Sequence, residues 1–61
     1  MKYDLKIKEL REVLLITQQE LADLLGVTNI TVNRWENNKS NPSIKEKRKL
    51  VKMFKENKIE E

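Results

Sequence analysis

Cysteine and histidine are both absent from this chain of 61 residues. That excludes the usual zinc-finger ligand sets, removes the commonest general base and leaves the redox compartment without a marker. Proline and glycine occur once each, and tryptophan, tyrosine and phenylalanine once each. Such a chain is neither a loop-rich scaffold nor a low-complexity one. With no disulfide or metal to staple it, a sequence of this length lies near the lower limit for holding a core, so the core must be small. No apolar run approaches membrane-spanning length, and the first ten residues lack the hydrophobic centre of a secretory signal. No membrane partner is expected, and the expected location is cytoplasmic. What remains is 38% hydrophobic and 38% charged, which suits a compact all-α fold, taken as a single domain over residues 1–61.

The stretch from Thr17 to Trp35 organises the rest. Thr17 with Glu20 three residues on has capping-box spacing, so a helix starts at Gln18. Leu21, Ala22, Leu24 and Leu25 supply an apolar stripe, and Gly26 stands where a helix end wants a residue tolerant of positive φ. Only Val27 separates that glycine from Thr28, a second good N-cap. The next helix, roughly Asn29 to Glu36, must therefore leave steeply, which is helix-turn-helix geometry with a motif over about residues 17–36. Ala22 gives the small side chain that two closely joined helices need.

The second helix of this pair has two unlike faces. Val32 and Trp35 lie three apart and point inward, so Trp35 belongs to the core rather than to a stacking surface. The other face carries Asn29, Ile30, Asn33 and Arg34 in one patch. Asparagine can pair bidentately with adenine, arginine with guanine, and isoleucine can lie against a thymine methyl, so these four are the candidate base contacts.

The run T-Q-Q-E-L-A, then L-G-V-T, then T-V-N-R-W-E-N and a distal P-S resembles the Xre/Cro/phage-repressor-like helix-turn-helix family over roughly Leu5 to Phe54. The resemblance implies a compact all-α domain of the phage-repressor-like type that binds double-stranded DNA through the major groove as a transcriptional regulator of prokaryotic or phage type. Relatives generally continue into a fifth helix, but K-E-N-K-I-E-E after Phe54 is too short and polar to form one, so four helices are expected. It also implies that Gln18, Thr28, Thr31, Asn37, Lys39 and Ser40 face the DNA backbone, with Asn41 beside them. Gln18 opens a helix whose free N–H groups and dipole favour an anion. Charge is distributed to match: residues 1–33 hold four basic and five acidic side chains, residues 34–55 hold eight and two, and residues 56–61 hold one and three. Any single lysine of the last helix is expected to be solvated; the concentration of positive charge after Asn33 is what suits a phosphate partner.

Around this motif, Asp4 is a suitable N-cap for a first helix running to about Leu14. Leu5, Ile7, Leu10, Val13 and Leu14 form its apolar positions, with Lys6, Lys8, Glu9, Arg11 and Glu12 mostly outward. Ile16 can staple against Leu21. Leu15 and Asn38 stand where relatives usually have glycine, and asparagine is the better substitute for a left-handed residue. Pro42 precedes Ser43 and Glu46, another pair at capping-box spacing, and a fourth helix runs from Ile44 to about Glu56 with Ile44, Leu50, Val51 and Phe54 inward and Met53 at the edge. Lys47 and Arg48 stand where relatives often carry apolar residues. Residues 57–61 read as an acidic frayed tail.

An enzyme is not expected, since Ser40 and Ser43 have no base and no carboxylates converge. No cofactor or metal is implied. The rival reading is a protein-interaction or antitoxin-like module on the same fold, which would want large apolar side chains where Asn29, Ile30, Asn33 and Arg34 stand. With no fifth helix, the chain is expected to be a monomer or a weak homodimer on DNA, or to be joined to a further domain. Sedimentation at low concentration checks this, and a stable dimer there contradicts it.

Overall fold

The computed structural model describes residues 3–59, and among these are four α-helices and no strand. They are α1 (Tyr3–Leu14), α2 (Gln18–Leu25), α3 (Asn29–Glu36) and α4 (Ile44–Glu56). The helix starts follow the local side-chain chemistry. Thr17 Oγ1 accepts from the Glu20 N–H at 3.1 Å while the Glu20 carboxylate accepts from the Thr17 N–H at 2.9 Å. Thr28 caps α3 by accepting from the Thr31 N–H at 3.2 Å. At α4 the Glu46 carboxylate accepts from the Ser43 hydroxyl at 2.6 Å and its N–H at 3.3 Å. The hydroxyl bond pulls the Glu46 pKa below the usual carboxylate range, so this contribution is present above that range and fades as pH falls through the lowered value. Asp4 does not cap α1; it lies within the first turn, where its charge complements the helix dipole.

All four helices end the same way. A left-handed residue stands one or two positions past each terminus: Leu15 (φ 57°), Gly26 (φ 73°), Asn38 (φ 57°) and Lys58 (φ 58°). In each case the next N–H reaches back five residues, from Ile16 to Arg11, Val27 to Ala22, Lys39 to Arg34 and Ile59 to Phe54, at 2.8–3.1 Å. These are Schellman closures, which satisfy the last carbonyls without extending the helix. Lys49 Nζ adds a bond to the Leu25 carbonyl at 3.3 Å, holding α4 against the end of α2.

The core contains Ile7, Leu10, Leu21, Ala22, Leu25, Val32, Trp35, Leu50, Phe54 and Ile59, with Tyr3, Leu14, Ile16, Val27 and Met53 partly buried against it. Five expectations change here. Leu5 and Val13 are 62% and 50% exposed, because the stripe of α1 follows Tyr3, Ile7, Leu10 and Leu14, and at about 100° per residue Leu5 points the opposite way while Val13 falls to its flank. Leu24 and Ile44 are also exposed. Leu24 lies beside rather than on the α2 stripe, and Ile44 walls a shallow groove with Lys47, Arg48 and Val51. Residues 57–59 are not frayed: the last Schellman closure folds Ile59 back onto Phe54 and leaves it 5% exposed. Residues 60 and 61 lie outside the described residues. Tyr3 packs near Phe54 with ring centroids 6.4 Å apart, and Lys47 Nζ sits 5.5 Å from the Tyr3 ring centre, a cation–π contact in place of an apolar one.

Leu15 is 89% exposed, so its side chain gains almost nothing from burial while its backbone bears left-handed strain. Leu15→Gly should stabilise the fold by about 1 kcal/mol, raising Tm by about 4–8 °C. Gly26→Ala should move Tm the other way. Thermal melts followed by circular dichroism check both, and an unchanged Tm for Leu15→Gly would show that its φ carries no cost.

Candidate nucleic-acid interface

Ala22 is fully buried, which lets α2 and α3 approach across a connection of only Gly26, Val27 and Thr28. Val32 and Trp35 anchor α3 from beneath at 0% and 3% exposure. The same rotation turns Asn29, Ile30, Asn33 and Arg34 outward, and all four are exposed. Ile30, an apolar side chain, is 68% exposed. Around this patch Thr28, Asn37 and Lys39 are exposed, and Gln18, Thr31 and Ser40 half-buried.

These side chains are not equally free. Thr28 and Thr31 share a hydroxyl hydrogen bond at 3.0 Å at the start of α3. Asn37 Nδ2 donates to the Asn33 carbonyl at 2.9 Å and to Asn33 Oδ1 at 3.1 Å. Asn33 Nδ2 in turn donates to Gln18 Oε1 at 3.4 Å. Gln18 Nε2 donates to a Glu36 carboxylate oxygen at 3.2 Å. The side chains of Asn29 and Arg34 enter none of these bonds.

Glu36 is the residue that sequence reasoning missed. It is 4% exposed, and its carboxylate meets Arg11 in a two-pronged ion pair, Nε to Oε2 at 2.5 Å and Nη2 to Oε1 at 2.8 Å. Arg11, expected to point outward, instead reaches from α1 to the end of α3. Its pKa is raised by the bond to Glu36, so the guanidinium is charged throughout the workable pH range and the arginine side of the pair adds no pH dependence there. The available signal was spacing: Glu36 lies four residues after Val32, on the same side of α3. Its partner, 25 residues earlier, had no local signature.

Positive charge frames the patch unevenly. Lys39 is exposed in the loop after α3, while Lys45, Arg48, Lys52 and Lys55 stand exposed along α4. Lys47 and Lys49 are occupied with Tyr3 and Leu25. Among the described residues no cluster of acidic side chains could hold a metal ion, and no helix is long and apolar enough to cross a membrane.

A family model described as helix-turn-helix, of Cro/C1 type, matches residues 7–60. The chain belongs to this helix-turn-helix family. No curated protein and no solved structure matches it. The family is one of DNA-binding regulatory domains, and the geometry places α2 and α3 as its two-helix motif.

Because Glu36 is buried and Arg11 is its cation, Arg11→Ala should cost on the order of 3 kcal/mol, a large part of the stability of so small a domain. Replacing both partners, Arg11→Met with Glu36→Leu, should recover most of that loss. Denaturant titration monitored by the fluorescence of Trp35 measures both; a double variant as unstable as the single one would show that the uncompensated carboxylate is not the cause.

Proposed function

We propose that this chain binds double-stranded DNA in a sequence-specific manner by laying α3 in the major groove, and that it serves as a transcriptional regulator of prokaryotic or phage type. The observation that carries this reading is the outward face of α3, where Asn29, Ile30, Asn33 and Arg34 are all exposed on a helix anchored by Val32 and Trp35. Asn29 offers a donor and an acceptor matched to adenine N6 and N7, Arg34 a fork matched to guanine, and Ile30 apolar surface for a thymine methyl. Asn33 stands in the same patch with its amide already engaged.

The phosphate contacts follow from what rims this face. Gln18 and the free N–H groups of α2 can take one phosphate, and Thr28, Thr31, Asn37, Lys39 and Ser40 border the groove-facing surface on the other sides. Contacts of that kind set position and salt dependence, whereas the α3 face sets sequence. Two copies acting together would occupy half-sites about 10 base pairs apart.

Selection from random duplex DNA should enrich one motif. On that motif, Asn29→Ala should cost about 1–3 kcal/mol, with much less effect on scrambled DNA at the same salt concentration. Ile30→Ala should lose discrimination between thymine and uracil at one position. Enrichment of no motif would overturn the proposal in favour of a protein-interaction module.

A further inference from the structure

Resting on the reading above, the geometry points to a division of labour inside the α3 patch: Asn33 is a positioning residue that fixes Gln18 for the DNA backbone, at the end of a polar relay running from Arg11 through Glu36 and Gln18, and it does not read a base. Arg11 grips Glu36, Gln18 Nε2 donates to the same carboxylate at 3.2 Å, Asn33 Nδ2 donates to Gln18 Oε1 at 3.4 Å, and Asn37 Nδ2 donates to Asn33 Oδ1 at 3.1 Å. The relay therefore joins α1, the start of α2 and the C-terminal half of α3 with its cap residue Asn37.

Stereochemistry explains why Asn33 takes this part and its neighbours do not. It follows Val32 directly, about 100° around the helix from the buried stripe, and so stands on the flank beside Gln18. Ile30 and Arg34 lie further round, and Asn29 enters no bond of the relay. Bidentate adenine recognition needs the amide oxygen and nitrogen of one asparagine turned together to the base edge. In Asn33 the amide nitrogen already donates to Gln18 and the amide oxygen already accepts from Asn37, so turning both atoms to a base edge competes with the bonds that hold Gln18. Gln18, by contrast, is held at both amide atoms yet keeps one N–H to offer a phosphate beside the start of α2. Its orientation is set before DNA arrives, which removes an ordering cost from binding.

The test compares variants on two probes, the duplex that the wild-type chain enriches from random DNA and a scrambled duplex of equal length, at one salt concentration. Gln18→Ala and Asn33→Ala should each weaken binding to both duplexes alike, by about 2- to 10-fold. The double variant should be no weaker than either single one. Asn29→Ala should act on the enriched duplex alone and multiply with Gln18→Ala. The Arg11→Met and Glu36→Leu pair removes the acceptor for Gln18 and, with its cooperative melt checked separately, should show the same uniform loss, with Gln18→Ala adding nothing further. A loss for Asn33→Ala confined to the enriched duplex, or effects of Gln18→Ala and Asn33→Ala that multiply, would overturn the relay. Failure of the wild-type chain to enrich any duplex would overturn the DNA reading and the relay with it.

Discussion

The arrangement of the first three helices depends on one buried carboxylate. Glu36 has a side chain only 2% exposed, and a charge so placed is costly unless its oxygens are met by an opposite charge and further donors. Arg11 supplies the charge with two parallel bonds, and Gln18 supplies the additional donor. Those partners come from α1 and α2, while the carboxylate ends α3. Any packing that slid one helix past another would leave the charge unpaired, so the ion pair selects one arrangement of helices even where its net contribution to stability is small. The surface formed by α2 and α3 inherits that selection.

The helices themselves could not hold this surface alone. α2 and α3 have eight residues each, well below the length at which an isolated helix persists in water. Their order comes from caps at the start, Schellman closures at the end, and the burial of Leu21, Ala22, Leu25, Val32 and Trp35 between. Only one of the four closures uses glycine. The chain thus accepts left-handed strain at Leu15 and Lys58 to turn sharply, and at Lys58 the turn brings Ile59 onto the core.

Charge is similarly divided between fold and surface. The segment after Asn33 is rich in cations, yet Lys47 covers the Tyr3 ring and Lys49 closes the end of α2. Long cationic side chains can use their stems and heads this way without leaving water entirely. The cations with no partner inside the fold are therefore fewer than the composition suggests, and Lys39 in the loop after α3 stands nearest in sequence to the exposed face of that helix.

From the sequence alone, the start of each of α2, α3 and α4, the left-handed positions at Gly26 and Asn38, the inward placement of Val32 and Trp35, and the outward placement of Asn29, Ile30, Asn33 and Arg34 could all be determined. Each depends on residues within about four positions of one another, where capping and helical period act directly. Tertiary structure decided which stripe of each helix is covered, and with it the exposure of Leu5, Val13, Leu24 and Ile44, because an apolar residue is buried only if another element arrives to cover it. It alone buried Ile59, which needed the turn at Lys58 to carry it back to Phe54. It alone joined Arg11 to Glu36 and Gln18 to Asn33, pairs 25 and 15 residues apart. A polar side chain shows its own chemistry in the sequence, but its partner is fixed by the path of the chain between them.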